Sequence, residues 1–403
     1  MNAERLLQHY EQIADAPDAV ARLRRFILDL AVRGKLVPQD PADEPASELL
    51  TRIWAEKKRL LAQANIKQKQ SIPQDSQIAI FDVPVGWSWC QLDEVSWKIT
   101  DGEHLTPKRE VNGRFLLSAR NVLNGRIDIS DVDFVGDAEF ERMRRRCDPN
   151  KNDLLISCSG SVGRVAIVDA DETYVLVRSA ALVKPVHADE IAPFLSKALI
   201  SSFLQNQMGI RSKSAAQPNL FIGSIRQLLI PLPPLAEQRR IVAKVDELMA
   251  LCDKLEAART ERETKRDRLA AASLARLNTP DPETFRDDAR FALDALPALT
   301  ARPDQMKQLR QTIPNLAVRG KLVPQDPADE PAAELLKTIA VEKGRSEKRK
   351  AKELHTLERA PPLEITFQLP GSWEWVPATY PALVISEGDR KVRTKDVLEV
   401  GFE

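Results

Sequence analysis

Metal or nucleophile chemistry in this chain would fall to His9, His104, His187 and His355, or to Cys90, Cys147, Cys158 and Cys252. Their spacing supports neither. A zinc site takes cysteines or histidines paired a few positions apart, and none of these eight has such a partner. Cysteines without paired spacing also fit a reduced compartment, the cytoplasm, better than a disulfide framework. Ser159 and Ser161, in CSGSVG, resemble a nucleophile elbow only superficially, because GxSxG is not matched; a turn between strands is expected instead. Both GKL triplets lack the upstream glycine and the hydroxyl residue that hold a nucleotide. GxGxxG, HExxH and the [DN]PP[YF] tetrapeptide of amino-methyltransferases do not occur. The chain is therefore expected to be non-catalytic.

At 403 residues the chain has room for two or three domains. No apolar run approaches a membrane span, and the N-terminus MNAERLLQHYEQ lacks a signal-peptide core. Lys+Arg and Asp+Glu both number 59, so any polyanion must be met by local patches or with a basic partner's help. From about 80 to 230 the sequence offers short β-like runs, RFLLS, DLLIS, RVAIV, YVLV and AALVKPV, broken by Gly and Ser turns. The helical stretch EIAPFLSKALISSFLQNQM follows them. Together these predict an α+β domain of mixed β-sheet and helices. Pro233 and Pro234 then introduce a run in which Ile241, Val245, Leu248, Cys252 and Leu255 alternate by four and three, a coiled-coil seam. The predicted helix reaches residue 278, a rod of about 60 Å that needs a partner to bury its seam.

One segment occurs twice. LAVRGKLVPQDPADEPASELL, residues 30–50, returns as LAVRGKLVPQDPADEPAAELL, residues 316–336, with Ser47 replaced by Ala333. The register extends from Leu23 and Leu309 to Trp89 and Trp375 without net insertion. Such a long period marks a duplicated module rather than a solenoid, and suggests a pseudo-two-fold relation; duplication without functional meaning is the alternative. Each copy predicts an amphipathic helix, a glycine C-cap at Gly34, a proline-rich connector and a second helix through ASELLTRIWAEKKRLLAQ with Asp43 as its cap.

PLPPLAEQRRIVAKVDEL, DLLISCSGSVGRVAIV, DGEHLTPKRE, RFLLSARNVLNGRIDIS and AAQPNLFIGSIRQLLIPLPP occur in one chain. In combination they resemble the specificity subunits of type I restriction–modification systems. The resemblance covers about residues 80–280 and resumes near the second Trp-x-Trp. It implies conserved helices at 1–79, a first target-recognition domain at 80–232, a spacer helix at 233–278 and a linker at 279–304. Conserved helices of the second copy would follow at 305–368, and the start of a second, truncated recognition domain at 369–403. A truncated gene, part of a longer chain, or a half subunit that dimerises would each account for the short second copy.

The resemblance further implies sequence-specific binding of double-stranded DNA, with the two helical copies docking two methyltransferase subunits and the complex completed by restriction/translocase subunits. S-adenosylmethionine, ATP and magnesium would belong to those partners, not to this chain. A coiled-coil scaffold and a non-functional remnant are the alternatives. Arg and Lys anchor phosphates, and Asn and Gln pair well with adenine. Polar residues on loops beside the quoted motifs are accordingly the candidate DNA contacts: His104, Thr106, Lys108, Arg109, Arg120, Asn121, Ser159, Ser161, Arg164, Arg211, Lys213, Ser214, Gln217 and Asn219. The basic run ERMRRR, 141–146, reads equally as a phosphate-facing patch or a solvated helix face.

Overall fold

The computed structural model describes residues 16, 18–64, 80–212, 218–279, 281, 283–347, 367 and 369–376. The chain divides into two compact units, Met1–Ala258 and Arg259–Glu403.

The first unit opens with α1 (Ala19–Val32), which buries Ile27, Leu28, Ala31 and Val32 along one stripe. Gly34 ends it in the left-handed region, φ 63°, where a Cβ would also stand 2.3 Å from Pro84 Cγ. Only glycine meets both demands. After the proline-rich connector, α2 (Ala46–Gln63) starts directly behind Pro45, and the Ala46 N–H donates to the Gly86 carbonyl at 2.8 Å. Asp43 is not its cap: α2 has no side-chain cap, and the Asp43 carboxylate instead accepts both Arg240 nitrogens, at 2.6 and 3.2 Å.

The α+β body runs through β1 (Ser88–Gln91), β2 (Ser96–Asp101), β3 (Arg109–Glu110) and β4 (Arg114–Leu117), then a 3-10 turn at Ala119–Asn121. The hairpin β5 (Val122–Leu123) and β6 (Arg126–Ile127) turns on Asn124 and Gly125 (φ 83°), and β7 (Asp133–Val135) and α3 (Asp137–Arg144) come next. β8 (Leu154–Ser157), β9 (Val165–Ile167), β10 (Tyr174–Leu176) and β11 (Ala180–Pro185) follow, then α4 (Ala188–Ile200), α5 (Ser202–Ser212), α6 (Ile222–Arg226) and β12 (Leu229–Leu232). One antiparallel sheet has the order β2-β11-β8-β9; the other is β10-β4-β7-β3, with β10 and β4 parallel. β1 pairs with β12, bringing the body's two ends together.

β8 and β11 are buried on both faces, which is why they read as unbroken apolar runs. Leu154, Ile156 and Val183 point to a core shared with Phe194 and Leu195 of α4 and with α1. Leu155 and Leu182, one residue out of phase, face a second core with Leu117 and Tyr174. Lys184 is buried within β11, its ammonium 2.6 Å from Asp153 and 3.6 Å from Asp148. Burial pushes the Asp153 carboxyl above its ordinary value, against the attraction of Lys184.

α7 (Leu235–Asn278) is one continuous helix of 44 residues. Ile241, Val245 and Cys252 of the expected seam are buried in the first core, Leu248 packs beside them, and Leu255 is exposed. α1 is among its partners, with Arg24 bridging Asp253 and Glu256 at 2.6 and 2.7 Å. Nearer the start of α7, Glu237 accepts the Trp87 indole N–H at 2.9 Å and the Gln39 amide at 2.5 Å.

In the second unit the rest of α7 packs with α8 (Phe285–Asp294), α9 (Leu296–Leu299) and α10 (Pro303–Val318), and α11 (Ala332–Glu347) follows. Ala270, Leu274, Leu277, Ala292 and Leu299 form its core. The duplicated segment keeps its local geometry residue by residue. Ala332 N–H donates to Ser372 O at 2.8 Å as Ala46 does to Gly86; Gly320 has φ 64° and Pro370 against it, as Gly34 has Pro84. Arg319 lies over Phe367 at 4.8 Å, as Arg33 lies over Phe81 at 4.3 Å. The surroundings differ. α10 buries Thr312 and Leu316 and packs Leu309 inward while Ile313 and Val318 are exposed; α1 does the reverse, leaving Leu23 and Phe26 exposed and burying Ile27 and Val32.

Candidate nucleic-acid interface

The strand ends of the first unit converge on Val177–Ala180. There the chain crosses from β10, in one sheet, to β11, in the other, so its backbone groups are offered to loops from both. Val177 N–H donates to Leu117 O at 3.0 Å, and Arg178 N–H to Glu103 O at 3.0 Å. Ser179 accepts twice: its Oγ from Ala119 N–H at 3.0 Å and its carbonyl from Cys158 N–H at 2.8 Å. The Cys158 carbonyl in turn accepts from Leu220 N–H at 2.8 Å, and Ser159 bridges antiparallel to Asn219. Gly102 permits the closest approach, since a Cβ there would sit 2.2 Å from the Leu176 carbonyl. Thus the loops after β2, β4 and β8 and the segment before α6 share one rim.

Most candidate contacts lie on that rim, in different electrostatic states. His104 is exposed and hydrogen-bonds Asp101 at 2.7 Å; Thr106 is exposed beside buried Pro107. Arg109 and Arg120 share Asp133, at 3.4 and 3.1 Å, and Arg120 also reaches Asp131 at 3.3 Å. Ser159 and Ser161 occupy the β8–β9 turn, where the Ser161 carbonyl accepts from buried Ser157 Oγ at 2.5 Å. Arg211, at the end of α5, donates to the Gln227 side chain at 2.5 Å and its carbonyl at 3.3 Å. Lys213, Ser214 and Gln217 lie outside the described residues. Asn121 requires a correction: it is buried, its amide donating to the carbonyls of Asp128 and Asp131 at 2.9 Å each, and its oxygen accepting from Ser118. It builds the loop and has no group left for a base. Burial also pushes the neighbouring Cys158 thiol up to about 12, so no thiolate forms there at neutral pH.

A family model described as type I restriction modification DNA specificity domain matches residues 110–263. The EcoAI specificity subunit of the type I restriction enzyme of Escherichia coli is 33% identical over 373 residues, covering 88% of this chain and 61% of the relative. The EcoEI subunit of the same species is 32% identical over 375 residues, with the same shares. Over most of its length the chain is similar to type I restriction enzyme specificity subunits. It spans about three fifths of the length of these curated relatives. The solved HsdS subunit from Thermoanaerobacter tengcongensis is 20% identical, with a TM-score of 0.33 over 59% of this chain and 52% of that one.

The first unit also carries a basic residue, Arg178, that its local sequence does not mark. Among the described residues, Lys108, Arg164, Arg178 and Arg145 form no side-chain ion pair. Lys108 and Arg178 are exposed, at the outer strand β3 and at the crossing point; Arg164 is half-buried at the foot of the β8–β9 turn. Arg178 was missed because its place is made by the crossing between sheets, which leaves no local pattern. Within ERMRRR the charges are largely spent inside the domain: Arg142 on Glu103 and Glu139, Arg146 on Asp101, and Arg144 on Asn150 and two carbonyls. Among the described residues, Arg145 alone of the arginines in that run makes neither a side-chain hydrogen bond nor an ion pair.

Proposed function

We propose that the chain is a DNA-reading specificity subunit, and that residues 80–232 read duplex DNA through the rim around Arg178. One observation carries the reading: four loops from two sheets meet there, and unpaired cations stand on or near it while neighbouring arginines are already neutralised. Lys108, Arg164 and Arg178 would anchor phosphates. His104, Thr106, Ser159, Ser161 and Asn219 would face base edges, where hydroxyl and amide groups supply the donors and acceptors of the grooves. Arg109, Arg120 and Arg211 would contribute once their present partners yield to phosphate.

The family relation supports the rest. The chain itself would be non-catalytic, selecting the site for two methyltransferase subunits and for restriction/translocase subunits. Those partners would hold S-adenosylmethionine, ATP and magnesium. The complex would act in the cytoplasm; among the described residues no helix is long and apolar enough to cross a membrane. With the partner methyltransferase present, mobility-shift titrations should show affinity for a preferred duplex falling steeply with salt, through counterion release. Equal affinity for unrelated duplexes at every salt concentration would remove the specificity reading.

A further inference from the structure

We propose that Leu105 and Phe221 are the apolar half of the DNA reader, each covering the methyl group of a thymine in the major groove. The inference rests on the DNA reading of the rim and deepens it. Both side chains are bare: Leu105 is 70% exposed and Phe221 60%. Single exposed apolar residues are common on protein surfaces and by themselves need no explanation. These two differ in their place and in the way the backbone holds them.

Leu105 follows a point where the loop is pinned. Glu103 N–H donates to Leu176 O at 2.7 Å, and the Glu103 carbonyl accepts from Arg178 N–H at 3.0 Å. The Glu103 carboxylate turns back on its own loop: one oxygen accepts from His104 N–H at 2.9 Å and Leu105 N–H at 3.1 Å, and the other holds Arg142 at 2.8 Å. The backbone at Leu105 is thus held while its side chain stands in solvent. Phe221 is set in the same manner. Leu220 N–H donates to Cys158 O at 2.8 Å and the Leu220 side chain is buried. The chain is extended at Phe221, φ −88° and ψ 152°, so the next side chain turns outward. Phe221 is also the N-cap of α6, where serine, threonine, aspartate or asparagine would hold the first turn, and it makes no side-chain cap bond. A phenylalanine that neither fills the core nor caps its helix breaks the local rules of folding, and such breaks collect at functional sites.

The surroundings name the target. Lys108 and Arg178 form no side-chain ion pair among the described residues, and their charge on the same rim suits a polyanionic duplex. His104, Thr106 and Asn219, close to the two apolar residues in the chain, offer hydrogen bonds to base edges. Among polar readers an apolar side chain gains only from an apolar target, and the C5-methyl of thymine is the one that the major groove presents. The pinned backbone ties each contact to one position in the site.

The test uses the duplex that the full chain, with its methyltransferase partner, enriches from a randomised pool. Each thymine is replaced in turn by deoxyuridine, which removes the methyl group and keeps the base pair. At two thymines the replacement should weaken binding about fourfold, the effect of one buried methyl group. Leu105→Ala should erase one of these penalties and Phe221→Ala the other. Neither variant should change the salt slope, since neither removes a charge. The ratio between thymine and uracil duplexes does not depend on how much of a variant is folded. Uracil tolerated at every thymine, a preferred site without thymine, or penalties that all persist in either variant overturn the proposal and leave sequence-specific binding in place. So does equal weakening on thymine and uracil duplexes with both penalties kept, which a wedge between base steps would give. Enrichment of no duplex removes the DNA reading itself, and this inference with it.

Discussion

Buried Asn121 holds the loop after β4 together by donating to the carbonyls of Asp128 and Asp131 and accepting from Ser118. Asn121→Ala would leave those groups unpaired, so unfolding in urea should show a loss of about 2–4 kcal/mol. Arg178 has the opposite character: its backbone is built in, while its side chain is exposed and unpaired. Arg178→Ala should leave stability within about 0.5 kcal/mol and weaken binding to all duplexes alike, lowering the slope of log affinity against log salt by about one. Asp101 adds a pH signature. Burial opposes its charge, but Arg146 and His104 outweigh burial and hold its carboxyl below the ordinary value of 3.8. A lowered folded value stabilises above the unfolded value and loses that stabilisation as pH falls through the folded one. Melting temperatures of wild type and Asp101→Asn should therefore converge below about pH 4 and separate above it. These roles were only partly legible in the sequence. Composition marks Asn121 and Arg178 alike as polar loop residues; burial and the crossing between sheets separate them.

The elements whose residues face a core on a regular period were legible. The seam of α7 and the apolar runs of β8 and β11 follow from burial on a helix stripe and on both faces of a strand. β3 and β7, two and three residues long, carry no period and exist through their partners. Asp43 illustrates the limit of local signals: a cap by position, it is drawn instead to Arg240, nearly 200 residues away. The contact between α7 and the first repeat has a sharp probe in Trp87. Burial pushes the Glu237 carboxyl up, against the Trp87 N–H that holds its charge. Trp87→Phe keeps most of the apolar ring and deletes that hydrogen bond, so it should cost about 1–3 kcal/mol. Trp373→Phe, whose indole meets no carboxylate among the described residues, should cost less than about 0.5 kcal/mol. Calorimetric scans of the two variants compare the same substitution in two surroundings.

At the scale of the molecule, equal numbers of acids and bases leave recognition to a few charges that the fold does not pair. Lys108, Arg164 and Arg178 are such charges, while the arginines between 142 and 146 are largely held by acids and carbonyls of their own domain. Sequence-specific binding should then depend on a handful of side chains, and selection from a duplex pool with a randomised segment tests that dependence most directly. Carried out with the partner methyltransferase, it should enrich one sequence pattern. The pattern should vanish when Arg164 and Arg178 are both replaced by alanine and persist when Arg142 is. Enrichment of no pattern by the wild type, or an unchanged pattern without Arg164 and Arg178, would contradict a reader built on this rim.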